Sequence, residues 1–77
     1  MQGIIKKIVV KKYFGFIKAD KYEYFFHKDD FKGHWDDLIN DYETHGGIIP
    51  VEFEVKASPK GPRAFDVKRT DYPNQSV

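Results

Sequence analysis

Two short stretches hold the residues best suited to recognition chemistry: Lys12-Tyr13-Phe14-Gly15-Phe16-Ile17-Lys18 and Glu23-Tyr24-Phe25-Phe26-His27. Side chains alternate between the faces of an extended strand. Phe14, Phe16 and Lys18 therefore share one face of the first stretch, and Glu23, Phe25 and His27 share one face of the second. If the two strands pair, Phe14, Phe16, Phe25 and His27 form a patch of four rings among lysines. Nucleobases stack on such rings for about 1–3 kcal/mol each, and ammonium groups neutralise phosphates. A small barrel has one interior, and Ile17, Tyr24 and Phe26 on the opposite faces already supply it. Other chemistry has no comparable support. Ser58, Thr44 and Thr70 have no base or oxyanion donor at a suggestive spacing. His34, His45 and the nearby aspartates match no standard ligand spacing, and no cysteine is present to hold zinc. Gly61 reads as a turn residue rather than part of a phosphate cradle, because no helix follows it. The expectation is a binding protein and not an enzyme, with no cofactor, no metal and no small-molecule substrate.

The elements that must position these rings follow from hydrophobic period and turn chemistry. Residues 3–10, 13–19 and 22–27 read as strands, with Lys11-Lys12 and Ala19-Asp20-Lys21 as the turns of an antiparallel meander. Then the period changes. Trp35, Leu38, Ile39 and Tyr42 recur at helical spacing, with Asp36 and Asp37 in the first turn and Gly46-Gly47 after the last. Pro50 starts a strand in which Val51, Phe53 and Val55 alternate with Glu52, Glu54 and Lys56, the expected inward and outward sets. A Ser58-Pro59-Lys60-Gly61-Pro62 loop precedes a last strand over 64–69. The predicted fold is all-β: a small five-stranded antiparallel Greek-key barrel of the OB type, with one short helix between strands three and four. An SH3-like barrel is the competitor, and the helix position favours the OB layout. The domain spans 1–70, and 71–77 read as a flexible polar tail.

Composition narrows the function further. With 77 residues, 40% hydrophobic, the chain makes one small domain with too little core to carry a deep catalytic cleft, so function belongs on an open face. Net charge is only +1, but residues 1–19 carry five lysines and no acid, 20–54 carry ten acids against three lysines, and 55–77 carry five basic residues against two acids. Such asymmetry is either the footprint of a polyanion or a set of solvated strand edges on which lysines discourage aggregation. The apolar stretch Ile8-Val9-Val10 is too short for a signal-peptide core or a membrane helix. A cytoplasmic protein without a membrane partner, monomeric or weakly dimeric, is expected.

The same residues carry a resemblance. Gly3-Ile4-Ile5-Lys6, Phe14-Gly15-Phe16-Ile17, Phe25-Phe26-His27, Val51-Glu52-Phe53-Glu54-Val55 and Lys60-Gly61-Pro62-Arg63-Ala64 resemble, in order, the bacterial cold-shock proteins and the related Y-box domains across residues 3–67. Lys12 to Ile17 is similar to the first ribonucleoprotein motif of that family, and Tyr24 to His27 to the second. The resemblance implies an OB barrel that binds single-stranded RNA or DNA, as an RNA chaperone or a regulator of transcription or translation. It matches Phe14, Phe16, Phe25 and His27 to stacking residues, Lys6 and Lys12 to backbone contacts, and Lys60 to a basic loop contact. The chain departs from the family at Lys7, where the family has tryptophan, at Ile8 and Lys28, where it has phenylalanine, and at Tyr13, where it has glycine. The segment between His27 and Val51 is also several residues longer and carries the helix.

Together these readings give a candidate nucleic-acid site of Lys6, Lys7, Lys12, Phe14, Phe16, Lys18, Phe25, His27, Lys28, Lys60 and Arg63. Lys7 and Lys28 are read either as phosphate contacts that replace rings or as solvated side chains. Trp35 is expected to pack the helix on the barrel, with display at the rim as a stacking ring the other reading. The competing function is a protein-interaction module that docks a partner on the acidic helix over 35–45.

Overall fold

The computed structural model describes residues 1–46 and 48–70, with His45 described by its backbone alone, so the tail expected over 71–77 lies outside the described residues. Strands β1 (Gln2–Val9), β2 (Phe14–Ala19), β3 (Tyr22–His27), β4 (Ile49–Lys56) and β5 (Arg63–Arg69) close into a barrel in the order β1-β2-β3-β5-β4, and β4 pairs back with β1. Helix α1 (Trp35–His45) lies between β3 and β4. This is an all-β, OB-like barrel. Its pairings are antiparallel except at the closing seam, where β3 meets β5 in parallel through Phe25 and Arg63. The short parallel bridge between Phe31 and Val67 continues that seam, and the Lys32 N–H donates to the Val67 carbonyl at 2.7 Å.

Ile5, Ile8, Ile17, Tyr24, Phe26, Leu38, Ile49, Val51, Phe53, Ala64 and Val67 fill the interior. Two irregularities let the strands follow the barrel. In β1, Ile5 pairs with Ile17 and Lys7 with Phe16, which leaves Lys6 as an extra residue. The bulge turns both Lys6 and Lys7 outward while Ile5 and Ile8 both point in. In β5 the extra residue falls between Phe65 and Lys68, beside Asp66 with its left-handed φ of 53°. Past that bulge Val55 is 38% exposed, so the inward set of β4 ends at Phe53 and does not include Val55 as its alternation suggested.

Helix α1 is held by its apolar stripe. Trp35 and Leu38 are buried, and Ile39 and Tyr42 pack partly against the same core. Asp41 forms an ion pair with Arg69, which ties the helix to β5. Gly46 adopts a left-handed φ of 66° and its N–H donates to the Tyr42 carbonyl, which closes the C-terminus as the glycine pair predicted. Among the described residues, no helix is long and apolar enough to cross a membrane.

Candidate nucleic-acid interface

The register of β1, β2, β3 and β5 lays the candidate residues out in rows. Lys7, Phe16, Phe25 and Arg63 are successive neighbours across four strands, and Val9, Phe14 and His27 form the adjacent row. All three phenylalanines and His27 are half-buried, whereas Gly15, Ile17, Tyr24 and Phe26 on the other side of β2 and β3 are buried. The ring centroids of Phe14 and Phe25 lie 5.2 Å apart, those of Phe14 and Phe16 5.8 Å, and those of Phe16 and Phe25 6.1 Å. Each ring therefore supports the others edge-on or tilted, which fixes the patch without enclosing it.

Gly15 explains why the two rings of β2 are separated by the smallest residue. Gly15 pairs with Phe26, and a Cβ on it would stand 2.8 Å from the Phe26 ring and 2.7 Å from the Lys7 carbonyl oxygen. Phe26 can lie directly beneath the outer patch only because Gly15 has no side chain.

The patch ends in a groove. Phe16, Phe25 and His27 form its floor, and the turn between β4 and β5 forms its wall through Ser58, Pro59, Lys60 and Pro62, with Arg63 at the junction. Reciprocal backbone hydrogen bonds hold that turn: the Ser58 N–H donates to the Gly61 carbonyl at 3.0 Å and the Gly61 N–H to the Ser58 carbonyl at 2.9 Å.

His27 and Arg63 are both oriented by the short 3-10 turn Lys28–Asp30. The His27 backbone N–H donates to Asp30 Oδ2 at 2.9 Å, and the Asp29 N–H donates to His27 Nδ1 at 3.2 Å, a capping box with histidine as the cap. Asp30 Oδ2 also accepts from Arg63 Nε and from Arg63 Nη2, each at 2.9 Å, and the Arg63 guanidinium carbon lies 5.7 Å from the Phe25 ring centre. Sequence reading included Arg63 but missed Asp30. Its available signal was the aspartate three residues after a histidine at a strand end.

The remaining basic candidates are distributed around this centre. Lys12 is exposed at the end of the 3-10 turn Val10–Lys12, and Lys60 is exposed on the groove wall. Lys28 Nζ lies 5.3 Å over the Tyr13 ring, and the Lys28 N–H donates to the Tyr13 carbonyl at 2.8 Å. Tyr13 takes a left-handed φ of 62°, which costs a residue with a side chain some backbone strain. Lys6 and Lys18 border a separate hollow with Ile4, Gly46 and Ile48, not the ring-floored groove. Trp35 is corrected as a stacking candidate. It is 7% exposed, and its ring packs edge-on against Phe26 and Phe31, because the period that makes α1 amphipathic turns it toward the core.

Among the described residues, no three His, Asp or Glu side chains gather as metal ligands. No protein-family model and no curated protein matches the chain.

Proposed function

We propose that the chain is a cytoplasmic, largely sequence-tolerant binder of single-stranded RNA or DNA, an RNA chaperone or regulator of the cold-shock type. The observation that carries this reading is the second aromatic cluster. Phe14, Phe16 and Phe25 are half-buried on the outer face while a complete core lies beneath them, so core packing does not account for their number or their common face. Lys7 beside Phe16, and Lys60 and Arg63 on the groove, set cations next to the cluster, the combination that stacking on bases and pairing with phosphates requires. The chain's resemblance to cold-shock domains supports the same assignment. Docking through the acidic helix has less behind it: α1 spends its apolar stripe on the barrel and exposes Asp36, Asp37, Asn40, Glu43 and Thr44.

Titration of a fluorescent single-stranded oligonucleotide tests the proposal. Phe14→Ala, Phe16→Ala and Phe25→Ala should each weaken binding by about 1–3 kcal/mol while the circular dichroism spectrum stays that of the folded barrel. Loss of the fold with affinity retained in the folded fraction would assign these rings to stability and remove the stacking role.

A further inference from the structure

We propose that Arg63 makes the groove a base-reading subsite that selects guanine over adenine at the nucleotide lying between the phenylalanines and the 58–62 turn. The inference rests on the single-strand reading above and adds to it: binding is tolerant along most of the strand and selective at this one position.

The selectivity comes from how the guanidinium is held. An arginine carries five N–H donors in one plane. Nε and one hydrogen of Nη2 are engaged by Asp30 Oδ2. That carboxylate is itself fixed, since its side chain is only 10% exposed and it also accepts the His27 backbone N–H. The clamp joins the turn after β3 to the start of β5, beside the pairing of Phe25 with Arg63 that closes the barrel. What Arg63 has left is its outer edge, where Nη1 and Nη2 each direct one N–H in parallel. Arg63 lines the groove and its side chain is 34% exposed, and that exposed part is assigned to the outer edge.

Lys60 on the groove wall has the same sense. Its ammonium has only donors. The Ser58 hydroxyl gives its one hydrogen to the Gly61 carbonyl, which leaves it no donor for a ligand. A guanidinium fork beside an ammonium favours a base edge made of acceptors. Guanine offers O6 and N7 side by side, the pair that an arginine fork fits, whereas adenine places its N6 amino group next to N7 and would set donor against donor. Both purines stack comparably on the phenylalanine floor, so the difference between them isolates the fork.

The experiment uses the full chain and fluorescence anisotropy with oligouridine octamers carrying one central guanosine or one central adenosine. The guanosine octamer should bind about tenfold tighter. Inosine, which keeps O6 and N7 and lacks the N2 amino group, should bind like guanosine. 7-Deazaguanosine, which lacks the N7 acceptor, should lose most of the advantage. Arg63→Lys keeps the charge without the fork and should bring the guanosine octamer down to the adenosine value. Asp30→Asn frees the guanidinium and should reduce the ratio while adenosine binding is retained, with a thermal melt confirming that both variants fold. Equal binding of the two octamers to the unsubstituted chain, or inosine behaving like adenosine, overturns this inference and leaves the single-strand reading standing. Failure of every octamer to bind overturns the single-strand reading itself.

Discussion

Lys7 stands directly opposite Phe16, exposed, in the row that continues through Phe25 to Arg63. Any side chain at this position borders the ring patch, and a lysine there contributes a screened, salt-dependent contact. Lys7→Trp should therefore exchange one phosphate contact for one stacking contact. Affinity at moderate salt should rise by roughly 1 kcal/mol, the lower end of a stacking term, and the slope of log affinity against log salt should flatten by about 0.7. Oligonucleotide titrations at three salt concentrations measure both. Weaker binding throughout would mean that the strand does not run over β1. Gly15 sets the opposite kind of constraint. Its missing side chain is the space in which the Phe26 ring and the Lys7 carbonyl lie, so Gly15→Ala forces one of them to move. Overpacking of this kind costs about 1–3 kcal/mol, read as a lower urea midpoint, and binding should fall only as far as the displaced β2 backbone disturbs Phe14 and Phe16.

Helix α1 is the longer segment's contribution to the barrel, and it is anchored chiefly by Leu38 and Trp35. Leu38 is fully buried, so Leu38→Ala removes contacts and leaves a cavity, for an expected loss of about 2–5 kcal/mol in urea unfolding. Because none of the described side chains of α1 lines the groove, oligonucleotide affinity of the folded fraction should be unchanged. A matching loss of affinity would place the helix in the interface. At this scale the sequence was informative wherever period was strict: the three meander strands, α1 with its glycine stop, and the face assignments of Ile17, Tyr24, Phe26 and the outer phenylalanines all follow from alternation or helical spacing. It was silent where one residue is extra. In Ile5-Lys6-Lys7-Ile8 either lysine satisfies an outward pattern, so only the pairing of Ile5 with Ile17 and Lys7 with Phe16 identifies the bulge. The closing seam was equally hidden, since it rests on a single parallel strand pairing and an isolated bridge rather than on any repeat. Asp30 and Arg63 are 33 residues apart, and their clamp exists only once β3 and β5 are neighbours.

At the scale of the whole molecule, a net charge of +1 gives almost no long-range attraction to a polyanion, so any salt dependence of binding must come from where individual cations sit. Lys7, Lys12, Lys28 and Lys60 are exposed and border the ring face or its turns, whereas Arg63 already shares its charge with Asp30. Four phosphate contacts on a single strand, at roughly −0.7 each, give an expected slope of about −3 for log affinity against log salt. The distribution can be separated from the total with two substitutions that change net charge equally. Lys60 lines the groove, while Lys68 lies toward the far end of β5, paired with Glu52 and away from the rings. Lys60→Gln should flatten the slope by about 0.7, and Lys68→Gln should leave it unchanged. If both variants flatten the slope alike, the dependence reports overall charge and the strand is not localised on the β1–β2–β3 face. A slope near zero in the unsubstituted chain would remove the phosphate contacts altogether and leave stacking as the whole of the interaction.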